Sequence, residues 1–321
     1  MGGLIVRRLA IAIPTLLVAA TVAFLLAHLA PGGPAVALGG EHGAPGQIEE
    51  IARRYGLDRP LIEIYLDWLG RLLTGDLGRS YRADAPVAAL IAERLPVTIA
   101  LILPAILLSA GAGLLLGLAA APARGRIGRG FVAAMAALHA LPGYLVAQLL
   151  VLAFARWLDL LPVQGIADAR GTGDGIWVQA MDGARHLVLP VLALALHHLT
   201  LVALLTRARV AAELDRPYVT TARGKGLAER HVRRRHALPN AMLPLIALMG
   251  SRVGSIVVGA AVIETAFALP GLGRLAVTAA IARDHPTVIG IVLVAAAAIV
   301  IANLLVDLVQ LGLDPRLSEA R

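Results

Sequence analysis

Cysteine is absent from the 321-residue chain. That excludes a disulfide scaffold, a thiol nucleophile, a cysteine-held zinc and a cysteine-ligated iron–sulfur cluster. Charge is scarce too. Only 16% of residues are Asp, Glu, Lys or Arg against 58% hydrophobic, too little charge to clothe soluble domains of this size and too much apolar surface to hide inside them. The same figures rule out a disordered or fibrous chain. Aromatics reach only 4%, so the net charge of +8 comes without the stacking residues of a nucleic-acid interface. No Gly-x4-Gly-Lys-Ser/Thr, His-Glu-x-x-His or Gly-x-Ser-x-Gly occurs, which leaves a nucleotide-phosphate cradle, a zinc protease and a hydrolase elbow without support.

What is present is a set of long apolar runs. A helix crossing a hydrocarbon layer of about 30 Å needs about 20 residues. Six runs meet that length, at 9–30, 97–121, 131–156, 187–206, 239–263 and 287–311. Backbone polar groups find no water in lipid, so the runs are predicted to be helices, with kinks at Pro14, Pro104, Pro142, Pro190 and Pro244. The expected fold is an all-α membrane bundle of six transmembrane helices. The first run follows Arg7 and Arg8 but is longer than a signal-peptide core and ends in Ala-His-Leu-Ala-Pro. It is therefore expected to be a retained anchor.

Basic residues choose the orientation. Segments 1–8, 122–130, 207–238 and 312–321 carry +2, +3, +6 and 0, and the alternate segments 31–96, 157–186 and 264–286 carry −2, −2 and 0. Both termini are thus predicted to be cytoplasmic. The organisation read from this is an anchor at 1–30, an extracytoplasmic helical cap at 31–96, a five-helix core at 97–313 with a cytoplasmic loop at 207–238, and a tail at 314–321. The Gly75-Asp76-Leu77-Gly78 turn reads as structural. Gly171, Gly173, Asp174 and Gly175 read as a flexible loop, because the EF-hand order of oxygen ligands is missing.

Segment 207–238 holds the densest information. Pro217 can open a short helix, Gly224 and Gly226 can end it, and Pro239 can start the next span. By composition alone it reads equally as a basic loop serving topology or as a surface for anionic lipid. Its order goes further. Thr220-Thr221-Ala222, three residues, Gly226-Leu227, and later His236-Ala237-Leu238-Pro239 resemble the Glu-Ala-Ala loop of bacterial ABC importer permeases. Thr-Thr-Ala stands in place of Glu-Ala-Ala, and His236 in place of Ile. The wording from Tyr218 to Leu227 is similar to that of the dipeptide, oligopeptide and nickel permease family. Further stretches resemble its first-permease type: Ile13-Pro14-Thr15, Ala30-Pro31-Gly32, Tyr55-Gly56-Leu57-Asp58-Arg59-Pro60, Glu93-Arg94-Leu95-Pro96, Glu264-Thr265-x-Phe267-x-x-Pro270-Gly271-Leu272-Gly273 and Asp314-Pro315-Arg316.

The resemblance implies a type I ABC importer membrane domain in the bacterial inner membrane, without enzymatic activity or a cofactor of its own. ATP and Mg would be bound by two partner ATPase subunits. A second homologous permease would share the pathway, and an extracytoplasmic binding protein would deliver a di- or oligopeptide. Nickel, a metal chelate or another small solute is the alternative cargo. An intramembrane enzyme and a stand-alone secondary transporter are distant alternatives from other classes. Under this resemblance Tyr218, Thr220, Thr221, Ala222, Lys225, Gly226, Leu227 and Pro239 couple to the ATPase. Glu264, Phe267, Pro270, Gly271 and Gly273 brace the outer gate.

Polar side chains inside spans are costly against lipid, which nominates Arg252, His139, His197 and Asp307 for the pathway. Arg252 is the sharpest nominee, as an attractor of a peptide carboxylate, and a direct pair with Asp307 is disfavoured by their depths. His197 and His198 point about 100° apart on a helix and cannot easily grip one ion, so no metal site is expected.

Overall fold

The computed structural model describes residues 2–29, 46, 49–50, 53, 58–167 and 175–313. Most of the expected cap before Asp58, the Gly171–Asp174 cluster and the tail 314–321 lie outside them. Among the described residues the chain is helical, with one isolated bridge between Arg79 and Pro86 in place of any strand. The helices are α1 (Gly2–Leu29), α2 (Leu61–Leu73), α3 (Val87–Ala120), α4 (Gly125–Ala140), α5 (Gly143–Leu150), α6 (Ile176–Leu214), α7 (Pro217–Gly224), α8 (Leu238–Ser251), α9 (Val253–Ala266), α10 (Leu272–Ile281) and α11 (His285–Leu313). A π-helical stretch, Val151–Trp157, prolongs α5, and a single helical turn, Glu229–His231, followed by another π-helical stretch, Val232–Ala237, leads into α8.

Four helical stretches are long and apolar enough to cross a membrane: Ala10–Leu29, Val87–Ala120, Ile176–Leu214 and His285–Gly312. A fifth crossing results if α4 and the Gly143–Trp157 segment count as one, although they meet at 95°. The chain is a multi-pass membrane protein. The run expected at 239–263 is two 14-residue helices, α8 and α9, that meet at Arg252. Pro142 lies in the α4–α5 bend, whereas α1, α3, α6 and α8 run on through Pro14, Pro104, Pro190 and Pro244. In lipid, continuing the helix is the cheapest way to satisfy the flanking backbone groups. The helices also outrun the apolar windows. At 1.5 Å per residue the 39-residue α6 is roughly 58 Å long, nearly twice a hydrocarbon layer, so its ends stand outside it.

Two compact units emerge, residues 1–97 with 270–301, and residues 98–269 with 302–321. In the first, Val87 and Ile91 of α3 pack with Leu272 of α10 and Ile291 of α11. The amphipathic helix α2 lays Tyr65 and Trp68 against Phe24 of α1, with ring centroids 5.2 Å apart in both pairs. The Asp284 carboxylate, buried just ahead of α11, accepts the Ser80 hydroxyl at 2.5 Å, the Thr287 hydroxyl at 2.7 Å and the Tyr81 backbone N–H at 3.0 Å. It ties the loop after α2 to the start of the last long helix.

In the second unit α6 is the spine against which α4, α5, α8 and α9 pack. Gly113 and Gly117 of α3 bring that helix against α6. A methyl at Gly117 would lie 2.5 Å from the Ala203 carbonyl oxygen, and one at Gly113 2.8 Å from Val202 Cβ. This is the small-xxx-small contact by which membrane helices approach closely.

Candidate functional site

Two regions of the second unit carry the nominated coupling residues and Arg252. The first is the loop around α7. Pro217 sits at the first turn of α7, Lys225 caps its end, and Gly226 takes the left-handed conformation (φ 77°) that glycine adopts at least cost. The helix is two-faced. Val219 and Ala222 are buried in one cluster with Leu118 and Ala121 at the end of α3, Val210 and Leu214 at the end of α6, and Val232, Ala237 and Ala241 of the next segment, while Leu227 packs against its edge. Thr220, Thr221, Lys225, Gly226 and Pro239 are exposed. Ala222, expected among the docking residues, thus fills the inner face.

Polar contacts fix α7 to its surroundings. Tyr218 donates its hydroxyl to Glu213 at 2.8 Å and accepts from the Asn240 amide at 3.1 Å, joining the end of α6 to the start of α8. Burial is the main cause that raises the Tyr218 pKa above its ordinary value of 10.0, so the hydroxyl keeps its proton. Arg223 grips Glu229 through Nε at 2.6 Å and the Leu214 carbonyl through Nη1 at 3.3 Å, and the first of these bonds holds the Glu229 carboxyl below its usual range. Arg207 donates to the Ala123 carbonyl at 3.0 Å, and Arg233 to the Leu118 carbonyl at 3.4 Å. The basic excess of this loop is thus partly engaged at helix ends.

The second region is a cavity of about 260 Å³ between α3, α6, the α8–α9 junction and α11. Its walls are aliphatic apart from Met249, Ser109, His198 and Arg252. Arg252 is exposed and occupies the single residue between α8 and α9. Its carbonyl accepts both the Ile256 N–H at 3.1 Å and the Ser255 hydroxyl at 2.7 Å. His139 and His197 do not line this cavity. They stack with centroids 4.4 Å apart, and His198 meets His197 edge-on at 5.4 Å. His139 Nδ1 is 3.1 Å from both the His197 carbonyl and the Thr200 hydroxyl. Asp307 is buried and is not a wall of the cavity either. Among the described residues no group of three or more His, Asp or Glu is arranged to hold a metal ion.

The nominated gate residues divide between the two units. In the second, Glu264 is fully buried at the end of α9 and accepts the Thr98 hydroxyl at 2.6 Å. Phe267, 1% exposed, caps that helix, and its carbonyl accepts the Gly165 N–H at 2.9 Å. In the first, Gly271 caps the start of α10, Leu275 N–H returns to its carbonyl at 3.1 Å, and Pro270 and Gly273 are half-buried. Thr98 and the Asp284 cluster escaped the sequence reading. Their partners lie 166 and more than 200 residues away in the chain, so only a fold can pair them.

Comparison with known proteins agrees with the architecture. A family model described as the inner membrane component of binding-protein-dependent transport systems matches residues 113–319, and one for the N-terminal part of such membrane components matches residues 1–102. A protein of Brucella abortus (strain 2308), named as a candidate peptide transport system permease, is 38% identical over 317 residues, covering 98% of this chain and 99% of its own. The dipeptide transport system permease protein DppB of Escherichia coli (strain K12) is 32% identical over 331 residues, covering 98% of each chain. The chain belongs to the binding-protein-dependent transport family of ABC importer permeases, whose type I membrane fold it shares.

Proposed function

We propose that this protein is a permease subunit of an ATP-driven importer of short peptides in a bacterial inner membrane. It crosses the membrane six times when α4 with α5, and α8 with α9, each count as one crossing, and both termini are cytoplasmic. A second, homologous permease completes the pathway, an extracytoplasmic binding protein delivers the peptide, and two ATPase subunits dock on α7. The relatives' peptide and dipeptide names support the cargo.

The observation that carries the mechanism is the division of α7 into two faces. Thr220, Thr221 and Lys225 are offered outward, while Val219 and Ala222 are packed into the cluster that holds the ends of α3 and α6. A short helix fastened on one side to two long helices is a lever, because a push on its free face moves those helices as a body. Alternating access follows if the two permeases exchange the open side of their shared path as the levers move. Arg252, His139, His197 and Asp307 belong to that path, and Glu264, Phe267, Pro270, Gly271 and Gly273 to its outer closure. The test is uptake of a labelled dipeptide into proteoliposomes containing the assembled complex. Uptake is expected only with ATP and the binding protein together. Accumulation by this polypeptide alone, without nucleotide, overturns the proposal.

A further inference from the structure

The cavity at the α8–α9 junction has a chemical signature of its own. An arginine in the middle of a span is costly unless it meets an anion or water, and among the described residues no carboxylate is paired with Arg252. A break in a membrane helix is tolerated where it lines a cavity, and this one, at Arg252 itself, does. Around Arg252 the cavity is bounded by Ile106, Leu201, Leu245, Met249, Ile256 and Val306. Its volume of about 260 Å³ exceeds the roughly 150 Å³ that holds benzene and falls short of the roughly 300 Å³ at which pockets for whole drug-sized ligands begin. It has room for one large side chain and no room for a peptide.

We propose that this cavity is a subsite for the C-terminal residue of the transported peptide, with Arg252 holding the carboxylate and the apolar space taking an apolar side chain. The inference rests on the reading of the chain as a peptide permease and adds a preference for free carboxylates followed inward by apolar bulk. His198, also on the cavity wall, supplies a hydrogen-bonding ring to the ligand.

The test uses the assembled transporter in vesicles and the photoreactive dipeptide Ala-(p-benzoyl-Phe), alongside its C-terminal amide. Illumination followed by peptide mapping is expected to give adducts of the acid on the 245–256 or 305–309 stretches. Their yield should fall at least tenfold with the amide and at least tenfold with Arg252→Gln, and stay within threefold of wild type with Arg252→Lys. Adducts elsewhere, no adduct on these stretches, or equal labelling by acid and amide overturn the subsite. The amide comparison is made on the unaltered protein, so it decides even if Arg252→Gln fails to assemble. If the complex takes up the acid with ATP yet labels elsewhere, the subsite alone is wrong. If it takes up no peptide, the permease reading falls as well.

Discussion

Gly117→Ala adds one methyl at the tightest helix contact found at these positions, and its cost follows from the geometry. The new Cβ would lie 2.5 Å from the Ala203 carbonyl oxygen, 2.6 Å from Thr206 Cβ and 3.0 Å from the Arg207 nitrogen, where ordinary contact begins near 3.4 Å. Two of the three obstacles are backbone and cannot rotate away. To recover 3.4 Å, α3 and α6 must part by about 0.9 Å locally, and a gap of about 0.5–1 Å forfeits a quarter to a half of each facing contact's attraction. Overpacking of this kind costs about 1–3 kcal/mol, opposed by at most about 1 kcal/mol of improved helix propensity. Gly111, six residues earlier on the same helix, has nothing within 4 Å of its would-be Cβ, so Gly111→Ala collects the propensity without the clash. Thermal unfolding of the detergent-solubilised protein, followed by loss of the monodisperse peak on size exclusion, should separate the two variants by several degrees, with Gly117→Ala below wild type and Gly111→Ala at or above it. Equal midpoints for the two would mean that the helices do not meet where Gly117 brings them together.

Four further outcomes follow from the packing. Asp284→Ala strands the Tyr81 N–H and two hydroxyls and should cost about 3 kcal/mol by the same assay, because a buried donor left unpaired loses about 1–3 kcal/mol. Ala222→Leu should destabilise the fold by about 1–3 kcal/mol by crowding the cluster beneath α7, whereas Thr221→Leu, on the exposed face, should leave the midpoint unchanged and lower ATP-driven uptake. Tyr218→Phe removes the link between Glu213 and Asn240 and should reduce peptide moved per ATP hydrolysed, measured in vesicles, more than it reduces ATP hydrolysis itself. The Arg223–Glu229 pair depresses the Glu229 pKa. Its contribution is therefore present above the unfolded carboxylate pKa and lost as pH falls through the folded one. Both side chains are well exposed, so the effect is at most about 1 kcal/mol, and the gap between wild type and Glu229→Gln seen at pH 7 should narrow as the pH is taken below the ordinary carboxylate range.

The membrane class and the short helix in the 207–238 loop were legible because they rest on local signals. Apolar length gives the long helices, and the Pro217, Gly224 and Gly226 spacing gives α7 within a residue at either end. Three features were not legible. The break at Arg252 has no proline, so the run reads as one span. The face on which Ala222 lies is decided by which side the ends of α3 and α6 occupy, which no local pattern encodes. The helix α10 follows Pro270 and Gly271 in a stretch between two expected spans, and its Leu272 becomes buried only when Val87 and Ile291 are brought to it.

The arginines at 207, 223 and 233 reach main-chain oxygens of Ala123, Leu214 and Leu118. A carbonyl is present whatever side chain its residue bears, so these anchors survive drift at the accepting positions but not at the donors. A saturation scan of this loop would therefore be lopsided, permissive at 123 and harsh at 207. Gly128 would be the exception among neighbours, since any side chain there would displace the Arg207 guanidinium. Evolution can thus recolour the surroundings of the lever without loosening its mount.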